Sequence, residues 1–302
     1  MEQHGTGQHG AAADRPEGRL PGGRRVQLPG RGTTWIRDLA GPPGAPTLIL
    51  AHGLVATADL NWFTAYEGLT QRYRVVAIDH RGHGRGVRSL RPFTLQDCAD
   101  DIAAMAKVVG IERAILVGYS MGGPISLLTA KRHPDLVSGL VLCATAARFG
   151  ERTAAMNAVA NSMLGASFAM RLSPGVLRRR AMEEMLRRRM ASRPQGPMTD
   201  WAAEEFRRSD PAAILQAMSA LATFDARDWV GKLPQPAAVV VTTLDQLVAP
   251  QRQRRMAELL HDATVHELHA DHISAIAQAD EFVAALRAAL ASVVARQPVT
   301  LP

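Results

Sequence analysis

Cysteine is almost absent from this 302-residue chain, with Cys98 and Cys143 the only two. Each lies inside a periodic apolar segment and they are far apart in sequence, so neither a disulfide scaffold nor a metal cluster is indicated, and both read as buried thiols. Aromatic residues make up only 5%, and no basic stripe with interleaved aromatics runs along the chain, which argues against nucleic acid as a partner. Residues 1 to 25 lack the unbroken apolar core of a secretory signal, and no stretch approaches the roughly 20 apolar residues of a membrane span. The expectation is a soluble cytoplasmic protein.

Apolar material is plentiful, because 47% of residues are hydrophobic and can bury a large core. The formal charge of +7 and the pI near 10.2 come mostly from one place. Residues 171 to 208 carry ten arginines against five acids.

Read in order, residues 1–24 are glycine-rich, lack periodicity and are expected to form a flexible tail; His4 and His9 there are too isolated to indicate a metal tract. Arg25 to Leu28 and Thr33 to Asp38 flank Pro29-Gly30-Arg31-Gly32, a hairpin pattern. Thr47 to Ala51, Val75 to Ile78, Ala114 to Val117, Val137 to Cys143 and Val239 to Thr242 are apolar runs suited to strands buried on both faces. Thr264 to Leu268 is the last strand. Helical stretches separate them: 57 to 71, Leu95 to Val109 with Gly110 as a stop, Met121 to His133, Gln251 to Leu260, and an alanine-rich helix from Ile273 to Val294. Strands alternating with helices imply right-handed crossovers and a mostly parallel sheet. The alternation is interrupted after Ala144, where the chain stays helical to about Phe224. The resulting organisation is a tail (1–24), a core (25–147 and 225–302) and a helical lid (148–224).

The chemistry centres on Gly118-Tyr119-Ser120-Met121-Gly122, between a strand and a helix. Glycines two residues to either side of a serine permit a sharp turn that presents the hydroxyl above the sheet. Ser120 is the candidate nucleophile. A serine hydroxyl needs a base, and the base an orienting acid. Asp245, past the penultimate strand, and His272, in the loop after the last, can converge on Ser120 because loops leaving parallel strands gather at one sheet edge. His269 is an alternative base, but it directly follows the strand. Asp225 and Asp228 are reserve acids, while Asp271 is too close in sequence to His272 to reach the far ring nitrogen. The oxyanion donors are expected to be the backbone amides of Leu54 and Met121, with His52 shaping the loop and not transferring protons. The loop Asp79 to Gly86 reads as a structural turn, since its glycine spacing does not fit a dinucleotide cradle.

Taken together, His52-Gly53, Asp79-x-Arg81-Gly82-x-Gly84, Gly118-x-Ser120-x-Gly122-Gly123, Asp245 and His272 resemble the α/β-hydrolase superfamily over about residues 25 to 144 and 226 to 294. The chain is similar to lid-bearing actinobacterial members of esterase and thioesterase-like type. The resemblance implies an α/β fold with a mostly parallel eight-stranded sheet, a helical lid after the sixth strand, and cleavage of a carboxylic ester or thioester through an acyl-enzyme without cofactor or metal. Chain-releasing thioesterase or acyltransferase activity, cofactor-free perhydrolysis and a non-catalytic ligand-binding relative are the other readings. One departure is Arg85-Gly86, where many members carry a serine. A serine nucleophile, and not an aspartate, separates the chain from the haloalkane dehalogenase and epoxide hydrolase branches.

The lid segment holds eight of twelve methionines, suited to packing or to an adaptable apolar pocket. Over Val176 to Met190, Leu177, Ala181, Met185 and Leu186 share a face opposite Arg178 to Arg180 and Arg187 to Arg189. The basic side is either a solvated face or an attractor of an anionic substrate or acidic carrier protein.

Overall fold

A computed structural model of the chain describes residues 20–89, 91–92, 94–151, 153–190 and 196–297, without the side chains of 189 and 190. Eight strands form one sheet: β1 (Arg24–Leu28), β2 (Gly32–Leu39), β3 (Thr47–Ala51), β4 (Arg74–Ile78), β5 (Ala114–Tyr119), β6 (Val137–Cys143), β7 (Ala237–Thr242) and β8 (Ala263–Leu268). Their spatial order is β1-β2-β4-β3-β5-β6-β7-β8. β1 pairs antiparallel with β2 and β2 antiparallel with β4, while every later pair is parallel. The eight runs read from the sequence are these eight strands. The central ones are legible because β-branched and aliphatic residues occupy both faces, as a sheet covered by helices on each side requires.

The pleat splits the core in two. Ile49, Val76, Leu116 and Leu140 face one helical layer, and Leu48, Leu50, Val75, Ile115 and Val117 face the other. The helices are α1 (Ala58–Trp62), α2 (Tyr66–Thr70), α3 (Leu95–Val108), α4 (Gly122–Arg132), α5 (Ala154–Leu172), α6 (Gly175–Met190), α7 (Pro197–Arg207), α8 (Pro211–Thr223), α9 (Pro250–Leu259), α10 (Ser274–Ala277) and α11 (Ala279–Val294). α3 and α4 supply Leu95, Ile102, Met105, Ile125 and Leu128 to the first layer. Trp62, Tyr66 and Leu69 of α1 and α2, with Phe282, Leu286 and Leu290 of α11, fill the second. α3 begins with a capping box, Thr94 against Asp97.

Three boundaries depart from the sequence reading. Strand β1 already starts at Arg24 and Leu20 packs against the core, so the end of the expected tail belongs to the folded unit; residues 1–19 lie outside the described residues. The stretch 57 to 71 is two short helices. The closing helix is also two, because the Thr64 hydroxyl donates to the Ala275 carbonyl at 3.0 Å and takes the acceptor that a continuous helix would offer to residue 279. Among the described residues no helix is long and apolar enough to cross a membrane.

Helices α5 to α8 lie between β6 and β7. On α6 the inward residues are Met182 and Leu186, packed with Phe206 and Ile214. Leu177, expected on that face, is instead exposed, since the helix meets its neighbours only along its second half. A buried ionic cluster ties the insertion to the core. Glu205 of α7 accepts from Thr57 Oγ1 at 2.7 Å, lies 2.8 Å from Arg208 Nε and 3.3 Å from Arg85. Arg85 also reaches Asp59 at 3.3 Å and stacks over the Trp35 ring. The departure at Arg85 is therefore a bridge between core and insertion. Removing one partner of a buried pair leaves the other charge unpaired, so Glu205→Ala is expected to cost about 3 kcal/mol. Urea denaturation checks this, and a loss under about 1 kcal/mol, the size of an exposed pair, would reject the bridge.

Candidate active site

Ser120 sits where β5 turns into α4, with φ of 50°, left-handed for a residue that is not glycine. Such a conformation costs on the order of 1–3 kcal/mol and persists only where the surroundings over-determine it. Here they do. Ser120 donates its N–H to the Cys143 carbonyl at 2.9 Å, and its own carbonyl accepts from Thr145 Oγ1 at 2.8 Å. The flanking glycines are required by close approach: a Cβ on Gly118 would strike the Gly122 carbonyl, and one on Gly122 the Ala51 carbonyl of the neighbouring strand.

The Ser120 hydroxyl lies 2.9 Å from His272 Nε2, and His272 Nδ1 lies 2.7 Å from Asp245 Oδ2. A carboxylate only accepts, so Nδ1 carries the proton and Nε2 presents its lone pair to Ser120. Asp245 is buried in a dense set of donors. Leu247 and Val248 N–H each reach Oδ1 at 2.8 Å, Thr242 Oγ1 reaches Oδ2 at 2.8 Å and Gln253 Nε2 reaches it at 3.3 Å. Burial by itself raises this carboxyl, but the hydrogen bonds from His272, the Val248 amide and Thr242 outweigh it and hold it below the usual carboxylate range. The His272 carbonyl accepts from the Tyr119 hydroxyl at 2.8 Å, which also meets Ser274 Oγ at 3.0 Å. Sequence reasoning missed Tyr119, Thr242 and Gln253 as supports, since nothing local marks a contact between residues 119 and 272.

The structure thus brings Ser120, His272 and Asp245 together and leaves the alternatives apart. His269 contacts Thr243, Asp225 is bridged to Arg227, and Asp271 caps the Ile273 amide. His52 is buried with His80 and His83. Burial, then the charges of those two rings, lower it well below the ordinary imidazole value. Its Nδ1 donates to the Gly53 carbonyl and its Nε2 accepts the His80 N–H, so it is a neutral loop support. Asp79 is buried too and is pushed up to about 7, although the Arg85 and Ala58 amides donate to it.

The loop after β3 runs beside the serine. Gly53 donates its N–H to Asn61 Oδ1 at 2.9 Å, and a Cβ on Gly53 would lie 3.3 Å from Ser120 Cβ. Among the described residues no acceptor takes the N–H of Leu54 or of Met121. Two amides at this edge of the sheet are therefore available to a developing oxyanion. A cavity of about 420 Å³ opens above Ser120 and His272. Leu54, Leu60, Ile273 and Ile276 wall it from the core, and Met198, Ala202 and Phe206 from α7 close it on the other side. No charged aspartate, glutamate, lysine or arginine side chain lines it among the described residues.

Comparison with known proteins agrees with this arrangement of the sheet. A family model described as the alpha/beta hydrolase fold matches residues 46–278. The chain belongs to the α/β-hydrolase fold family. Among similar members is the pimeloyl-[acyl-carrier protein] methyl ester esterase of Chromobacterium violaceum, 30% identical over 252 residues, 80% of this chain and 92% of that protein. Other curated relatives match at higher identity over less: with the dihydrolipoyllysine-residue acetyltransferase component of the acetoin cleaving system of Pseudomonas putida, this α/β-hydrolase shares 34% identity over 44% of its own length and 35% of the relative's. Of several such relatives the chain spans only 35 to 40%. The enol-lactonase of Burkholderia xenovorans LB400 superposes with a TM-score of 0.68 at 26% identity, covering 89% of this chain and all of that one. A hydrolase from Pseudomonas aeruginosa reaches a TM-score of 0.75 at 20% identity over 89% and 98% of the two chains, a likeness of fold.

Proposed function

We propose that this α/β-hydrolase cleaves carboxylic esters through an acyl-enzyme, carried by Ser120, His272 and Asp245. The observation behind the proposal is the unbroken hydrogen-bonded line from the serine hydroxyl through both imidazole nitrogens to a buried carboxylate. Ser120 Oγ attacks the ester carbonyl while His272 Nε2 takes its proton. The oxyanion so formed meets the Leu54 and Met121 amides. Collapse expels the alcohol, which leaves with the proton from His272; water then enters, gives that nitrogen a proton as it attacks, and the acid is released with Ser120 reprotonated.

Helices α5 to α8 act as a lid, because Met198, Ala202 and Phe206 complete the cavity. The apolar wall points to an uncharged acyl group, and the volume is at the small end of the roughly 300–1,000 Å³ of ligand sites. Relatives that act on a methyl ester and an enol-lactone agree with ester chemistry in this site. An acidic carrier protein has weaker support. Arg187 and Arg188 both bridge to Glu184 at 2.7 and 2.5 Å, and Arg207 of α7 to Glu183 at 2.9 Å, so that half of the basic face is partly neutralised internally.

A panel of p-nitrophenyl esters and matching acyl thioesters tests the proposal. Short and medium uncharged acyl chains are expected to give the highest kcat/KM. A terminal carboxylate on the same chain should lower it at least about 10-fold, since an unpaired charge in an apolar cavity is strongly disfavoured. Equal turnover of charged and uncharged chains would overturn the assignment of this cavity as the acyl site. Faster turnover of thioesters than of esters would move the reading to a thioesterase.

A further inference from the structure

The elbow joining α5 to α6 presents apolar side chains to solvent. Leu172 is 88% exposed, Val176 51%, Leu177 49% and Phe168 45%. Phe168 and Leu172 are one helical turn apart on α5, and the Leu177 N–H bonds the Pro174 carbonyl, so a tight turn brings the four into one region of the surface. Large apolar residues exposed singly are ordinary, whereas a cluster marks an interaction surface.

The unpaired charge beside this cluster has one sign. Arg178, Arg179 and Arg180 follow directly, and among the described residues none of them forms an ion pair. Val176 shares a shallow groove with Arg179 and Arg180. Glu183 and Glu184, in the same groove, are already bridged to Arg207 and to Arg187 and Arg188. Three unpaired cations near the amino end of a helix oppose its dipole, and negative charge from outside relieves them. Apolar wedge and basic collar together are the composition of helices that lie in a membrane interface.

We infer that the α5–α6 elbow docks on an anionic lipid bilayer, Phe168, Leu172, Val176 and Leu177 entering the headgroup boundary and Arg178 to Arg180 meeting lipid phosphates. Further along α6, its second half packs through Met182 and Leu186 on Phe206, a residue of the cavity wall. Docking therefore sets the roof of the ester site next to the phase in which apolar esters dissolve. The surface exists whether or not the cavity hydrolyses esters, so the two proposals fail separately.

Flotation of the full chain with vesicles tests it. Equimolar phosphatidylcholine and phosphatidylglycerol vesicles are expected to carry the protein at low salt, and phosphatidylcholine alone to leave it behind. Replacing Phe168, Leu172, Val176 and Leu177 by serine should abolish binding. Replacing Arg178, Arg179 and Arg180 by glutamine should weaken it about 100-fold, at about fivefold per arginine near an anionic surface. Turnover of a water-soluble ester is the check on folding, and Leu172→Ser alone, at the most exposed position, is the fallback with a several-fold loss expected. Failure of the native chain to float with anionic vesicles overturns the inference. So does a serine variant that floats like the native chain, which would make the contact purely electrostatic, or a native dimer that the serine variant converts to monomer in sedimentation velocity, which would make a second copy the occupant.

Discussion

Ser120→Ala is expected to lower kcat/KM for the best ester by about 10⁵ to 10⁶, the scale found when a nucleophile is removed from a triad that acts as a unit. The side chain contributes one hydrogen bond, to His272, and the turn that bears it is held by backbone bonds to Cys143 and from Thr145. The variant should therefore keep its fold and its unusual φ, so that lost activity reports chemistry and not unfolding. Some rate above the uncatalysed reaction should persist if the Leu54 and Met121 amides hold the oxyanion as proposed, since the substitution leaves both in place. A fluorophosphonate probe should label the native protein at Ser120 and leave the variant untouched. Retention of activity within about 10-fold, or labelling elsewhere in the variant, would remove Ser120 from the mechanism, and a folded native protein that the probe leaves unlabelled would restore the binding-protein reading.

How much of this was legible in the sequence follows from how local each constraint is. Strands β3 to β7 could be read because burial on both faces writes itself as an unbroken apolar run. The serine turn was legible because two close approaches, at Gly118 and Gly122, exclude side chains within five residues. Asp245 and His272 followed from topology alone, as loops leaving parallel strands converge on one edge. What stayed hidden depends on distant partners. Tyr119 props the His272 carbonyl from 153 residues away, and Thr64 breaks the closing helix by capturing a carbonyl 211 residues on. Arg85 was visible as a departure from the family pattern, but its use became clear only with Glu205 and Asp59 around it. The inward face of α6 was misjudged at Leu177 for the same reason, since periodicity marks a stripe and not how far along the helix a neighbour reaches.

Asp245→Asn should lower kcat by about 10⁴ while changing KM little, through the wrong imidazole tautomer. In the native site the carboxylate accepts at both oxygens: Oδ1 from Leu247 and Val248, Oδ2 from Thr242, Gln253 and His272. An asparagine has one acceptor. The two short backbone bonds claim its oxygen, which turns the NH₂ toward His272. Nδ1 must then accept, the proton moves to Nε2, and the nitrogen facing Ser120 can no longer take a proton. Stability should change with pH in a set direction. Because folding holds the Asp245 carboxyl below its ordinary value of 3.8, its contribution is present above about pH 4 and is lost as pH falls through the lowered folded value. The stability gap between native chain and variant should accordingly be widest at neutral pH and narrow below pH 4. A tenfold or smaller loss of kcat would show that orientation of His272 comes from Tyr119 and the packing around it, and not from the acid. A stability gap that stays level from pH 7 to pH 3 would mean that the Asp245 charge does not differ between the folded and unfolded chains.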